Sequence, residues 1–91
     1  MKVSWRPAAR ADVARITAYL ASLNPAAARH VLGALTRTGD SLAVFPHRGR
    51  VGLGPNLREL VAVWPYVIVY RIGRGDEVTI LRVWHAAQDR R

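Results

Sequence analysis

Ninety-one residues, 51% of them hydrophobic, suffice for one compact domain with a single core and are too few for two. The chain has no cysteine, which excludes disulfides and thiolate metal sites and suits a reducing cytosol. Fourteen basic residues, thirteen of them Arg, against six acidic ones give a net charge of +8, which predicts attraction to nucleic acid, ribosomes or an acidic protein without choosing among them.

Lys2, Val3, Ser4 and Trp5 alternate polar and apolar and predict a short first strand. Pro7 then suits the first position of a helix, where its missing N–H costs nothing. Ala9, Val13, Ile16, Leu20 and Leu23 recur at spacings of four, three, four and three, one apolar stripe, while Arg10 and Arg15 fall elsewhere. Asn24-Pro25 is a second start signal, a capping residue followed by Pro, and the run from Ala26 to Ala28 favours helix. The second stripe is expected to run through Ala28, Val31, Leu32, Leu35, Leu42 and Phe45, with Gly39 a weak point and Pro46 the stop. Two amphipathic helices so closely joined make an antiparallel hairpin.

Residues 46–56 hold three Gly, two Pro and two Arg and read as a mobile basic loop with no regular element. Residues 57–64, 66–72 and 77–84 are rich in Val, Ile, Tyr and Trp and are punctuated by Pro65 and by Gly73-Arg74-Gly75-Asp76, so they predict three strands in an antiparallel meander. The fold class is therefore α+β: an N-terminal strand, an antiparallel two-helix hairpin, then a three-stranded antiparallel meander. Apolar residues on both faces of 66–72 predict a central strand covered on both sides, by the helices on one and a partner on the other. At least one of Trp5, Trp64 and Trp84 is expected in the core.

No apolar run reaches the roughly 18–20 residues that span a bilayer, and the first residues lack the apolar stretch of a signal peptide, so the expectation is a cytoplasmic protein without a membrane partner. Three scattered His without Cys or a carboxylate cluster support no metal site. The glycines at 49, 52 and 54 miss both the P-loop and the dinucleotide fingerprints, and no cofactor is expected. His30 and His47 read as ordinary surface residues.

The element order, Asp12 in the first helix, Asn24-Pro25-Ala26-Ala27-Ala28 opening the second, Pro46 and Gly49 in the loop, Leu57-Arg58-Glu59-Leu60, Tyr66-Val67-Ile68-Val69-Tyr70-Arg71 and the ending Ile80-Leu81-Arg82-Val83-Trp84-His85 together resemble the RelE/ParE toxins of type II toxin–antitoxin systems. The resemblance covers nearly the whole chain. It implies a small sheet with a helical hairpin and a cognate antitoxin encoded nearby whose C-terminal part wraps the toxin; a basic chain with apolar surface to spare suits an acidic partner that folds on binding.

Two chemistries occur in the family. Ribosome-dependent ribonucleases drive the RNA 2′-hydroxyl onto the adjacent phosphate and need a base, an acid and cations. ParE-like members bind DNA gyrase and need only an interface. The nuclease pattern typically has Arg after the first Tyr of the third strand, where this chain has Val67, and a basic residue or Tyr near the C-terminus, where this chain has no Tyr after Tyr70. With the ParE-like Leu57-Arg58-Glu59-Leu60 and Trp84-His85, these departures favour the gyrase reading, with no catalytic residue required; the ribosome and mRNA remain the alternative targets. In that alternative Arg58, Arg82 and His85, with Glu59, would form a reduced catalytic site, His85 lying where some family nucleases use a His as general acid or base. Against this, His85 could simply end the last strand and hydrogen-bond locally. The residues expected to touch target or antitoxin are Arg48, Arg50, Arg58, Trp84 and His85.

Overall fold

A computed structural model describes residues 1–52 and 54–87. The segments 88–91 and Leu53, part of the expected C-terminal run and basic loop, lie outside the described residues. The elements are β1 (Lys2–Trp5), α1 (Pro7–Leu23), α2 (Pro25–Ser41), β2 (Arg50–Val51), β3 (Leu57–Val63), β4 (Tyr66–Ile72) and β5 (Glu77–His85). The class is α+β, as the patterning implies.

Both helices start at proline. Asn24 caps the second: its side-chain oxygen accepts from the N–H groups of Ala26 and Ala27, at 3.0 and 3.2 Å, satisfying donors that have no partner within the helix. Helix α2 stops at Ser41, earlier than its apolar stripe suggests. Leu42 is buried from the turn that follows, whereas Phe45 and Leu32 are exposed, as is Leu23 at the end of α1. Gly39 is buried, and its role is contact. A Cβ there would stand 2.9 Å from Trp5 Cη2 and 3.0 Å from Ile80 Cδ1, so the missing side chain lets the helix lie against Trp5 and the sheet.

The strand order is β1-β5-β4-β3-β2. The meander β3-β4-β5 is antiparallel, and β1 lies parallel to β5 with Trp5 opposite Ile80. Helix α1, the crossover that follows β1, and helix α2 pack on one face, over a core of Leu35, Leu42, Ile68, Tyr70, Val78, Ile80 and Val83. The expected unstructured loop contains β2, whose two residues pair with Glu59 and Arg58 as an edge strand.

A bulge sets the register of β5. Val69 faces Arg82 and Tyr70 faces Ile80, leaving Leu81 as the extra residue. Strict alternation from Val78 and Ile80 would turn Arg82 into the core; the bulge turns Val83 inward instead. Along the other face run Glu59 and Val61 of β3, Val67 and Val69 of β4, and Arg82 and Trp84 of β5, paired as Glu59–Val69–Arg82 and Val61–Val67–Trp84. No helix covers this face among the described residues. Val67 and Val69 are nonetheless buried, Val67 flanked in register by Val61 and Trp84 and Val69 by Glu59 and Arg82. Trp5 packs against the core while Trp64, in the β3–β4 turn beside a cis proline bond, is 71% exposed.

Candidate functional site

The arginines expected to meet a partner are engaged within the protein. Arg58 lies in register with Tyr70 and so shares its helix-side face. Its Nη1 donates to the carbonyl of Gly49 at 2.8 Å and, more weakly, to that of His47 at 3.4 Å. The hydroxyl of Tyr70 accepts from the Gly49 N–H at 2.8 Å and donates to the Pro46 carbonyl at 2.7 Å. Two strand residues therefore clasp the basic segment. A Cβ on Gly49 would fall 2.7 Å from the Tyr70 hydroxyl and 2.8 Å from the Glu59 carbonyl, which is why glycine stands there.

The clasp fixes the roots of Arg48 and Arg50, both exposed at the sheet edge. Arg48 Nη1 donates to the Ser41 hydroxyl at 2.8 Å. Arg50 Nε donates at 2.8 Å to the buried Glu59 carboxylate, and Arg50 Nη2 binds the same oxygen. Arg58 and Glu59, adjacent in sequence, consequently face opposite sides of the sheet and do not pair.

Arg82 reaches Asp12 of α1. Its Nε and Nη2 donate to the two carboxylate oxygens at 2.7 and 3.0 Å, and Asp12 also accepts from the Val83 N–H at 2.9 Å. Strand β1 pairs β5 only as far as Ile80, so the carboxylate serves a backbone donor just beyond the last strand partner on that edge. Burial by itself would raise the Asp12 pKa. The bonds from Arg82 and Val83, the Arg82 charge and a bond from Arg15 outweigh it, holding the carboxyl below its ordinary 3.8.

His85 ends β5 opposite Tyr66, the two rings meeting edge to face with centroids 5.5 Å apart. Its Nδ1 accepts from the Ala87 N–H at 3.3 Å. His85 and Arg58 share a face but not a site: two strand spacings and four residues of rise put their backbones roughly 16 Å apart. Arg82 belongs to the opposite face and bends to Asp12. Arg58, Arg82, His85 and Glu59 thus do not converge on one point. His30 and His47 are exposed, and no group of three potential metal ligands occurs among the described residues.

The residues that do cluster join Arg48, Arg50 and Glu59, which the sequence singled out, to Val61 and Trp64, which it did not. An open groove on the helix-free face is lined by Glu59, Val61, Trp64 and Val67, with Arg48 and Arg50 at its rim. Trp84, opposite Val67, continues this surface. Exposed aromatic side chains leave no local signature, although Trp64-Pro65 at a strand end is a turn signal that could have placed that Trp outside the core. Asp12 was legible in part, since it sits three residues after Ala9 and four before Ile16 and so shares their buried stripe.

The sequence profile of the ParE toxin of the type II toxin–antitoxin system parDE matches residues 3–90. Toxin RelE2 of Caulobacter vibrioides is 42% identical over 87 residues, covering 96% of this chain and 97% of that protein. A solved structure of the chromosomal ParDE toxin–antitoxin system from P. aeruginosa superposes with a TM-score of 0.79 at 26% identity, over 93% of this chain and 95% of that one. The hairpin, the sheet and the chain-long match agree: this chain belongs to the ParE toxin family of type II toxin–antitoxin systems.

Proposed function

We propose that this toxin acts in the cytoplasm as one domain, arresting growth by binding and inhibiting DNA gyrase, and that an acidic cognate antitoxin neutralises it. The observation that carries the reading is the dispersal of the nuclease residues. General acid–base cleavage needs its groups within hydrogen-bond reach of one scissile phosphate. Here Arg58 is bound to loop carbonyls and Arg82 to Asp12, and His85 lies against Tyr66. Val67 occupies the strand position where the nuclease pattern typically has Arg, and its floor is apolar. A protein-binding toxin needs none of that chemistry. It needs an exposed interface, and the helix-free face supplies apolar surface with a cationic rim.

The second reading, a ribosome-dependent ribonuclease, draws support from the RelE name of the Caulobacter relative. Expression without antitoxin separates the two. The gyrase reading predicts growth arrest with DNA-damage signalling and intact transcripts. Messenger RNA fragments cut within translated frames would overturn it.

A further inference from the structure

We propose that the helix-free face of the sheet, centred on Val61, Trp64 and Val67 and rimmed by Arg48 and Arg50, is the surface with which this toxin grips its protein target. The complementary patch on the target is acidic around an aliphatic or aromatic anchor. This inference rests on the reading that the chain acts by binding a protein.

Trp64 is 71% exposed and Val61 49% exposed, and both line the groove together with the buried Val67. Apolar surface gathered in one concave place marks an interaction site more often than chance exposure does. Trp and Arg are also the side chains that dominate interface energetics when a partner excludes water from them. The charge pattern then selects the kind of partner. The Glu59 carboxylate is built into the wall and is engaged by Arg50, and Arg82 on the same face is engaged by Asp12. A phosphodiester backbone laid here would meet a carboxylate and cations already neutralised, which disfavours nucleic acid. A protein surface with an apolar anchor fits the groove, while the +8 chain and the exposed Arg48, bound to the neutral Ser41 hydroxyl, steer an acidic one towards it. Another apolar groove, lined by Trp5, Val13, Ala14, Thr17 and Leu32, lies on the helix side, so the two surfaces can be altered independently.

The test uses Trp64→Ala and Val61→Glu in the full chain, both at exposed positions. Three quantities are read: the induction level that arrests growth without antitoxin, the concentration that half-inhibits purified gyrase, and co-purification with the antitoxin. The expected result is a loss of more than tenfold in arrest and in inhibition, with antitoxin co-purification unchanged. Should Val61→Glu fail to fold, Trp64→Ala, which only removes exposed surface, decides alone. Full potency of the folded variants overturns the proposal, as does loss of antitoxin binding with potency retained. So does a photo-crosslinker at position 64 that captures RNA and no protein. Wild type that arrests growth without inhibiting gyrase contradicts the gyrase reading; the arrest potency of the variants then still decides the surface.

Discussion

Asp12 and Arg82, 70 residues apart, meet in a two-point ion pair between the first helix and the last strand, with Nε to Oδ2 at 2.7 Å and Nη2 to Oδ1 at 3.0 Å. The carboxylate is buried and the guanidinium about half exposed, so the pair is worth less than a fully enclosed one. Its removal still strands the Val83 N–H. Asp12→Ala is expected to cost about 2–3 kcal/mol, read as a lower urea midpoint at unchanged slope.

The same carboxyl gives the fold an acid sensitivity of known sign. Its folded pKa is depressed, so its contribution is fully present above the ordinary 3.8 and is lost as pH falls through the lower folded value. Wild type should therefore lose stability below about pH 4 more steeply than Asp12→Asn does. Parallel acid limbs for the two proteins, followed by circular dichroism, would contradict the assignment.

Gly39→Ala sets two effects against each other. Helix propensity predicts a gain of up to about 1 kcal/mol, whereas the new methyl would be driven into the Trp5 indole and towards Ile80. Overpacking of that kind costs about 1–3 kcal/mol, and the contact with a rigid ring should win. Thermal unfolding is expected at a lower temperature, and a higher one would show that α2 can shift away from Trp5.

How far the sequence reaches is visible in these same residues. The helix starts at Pro7 and Asn24-Pro25 and the three strands of the meander are written locally, in caps and β-rich runs between turn signals. The parallel seating of β1 against β5 is not, because a four-residue strand carries no mark of its partner. Nor is the short β2 inside a Gly- and Pro-rich stretch, held as it is by Tyr70 and Arg58 from other strands. For the candidate site, the basic residues were visible as types, but their commitments to Ser41, Glu59, Gly49 and Asp12 depend on tertiary contacts. The turn in register that sends Arg82 outward and Val83 inward comes from one bulge at Leu81.

Tyr70→Phe removes a hydroxyl that serves both Pro46 and Gly49. A loss of about 1–3 kcal/mol is expected, or roughly 4–8 °C in Tm per kcal/mol for a domain this small. Faster amide exchange should be confined to the segment from Pro46 to Arg50. Exchange spread evenly over the sheet would contradict the clasp.

His85 offers a direct contrast between the two functional readings. Its ring packs edge-on against Tyr66 and its Nδ1 accepts from Ala87, contacts that a local structural role explains. His85→Ala should retain growth arrest within about threefold while losing about 0.5–1.5 kcal/mol of stability from the ring pair. Abolished arrest in a folded variant that still binds antitoxin would point to proton transfer.

Gyrase inhibition is decided by supercoiling of relaxed plasmid by the purified enzyme, with and without the antitoxin-free toxin, scoring linear DNA in the same gel. A gyrase-directed toxin should abolish supercoiling and accumulate linear product, both reversed by antitoxin. Unimpaired supercoiling in the presence of folded toxin that arrests growth in cells would contradict gyrase as the target and turn attention to the ribosome.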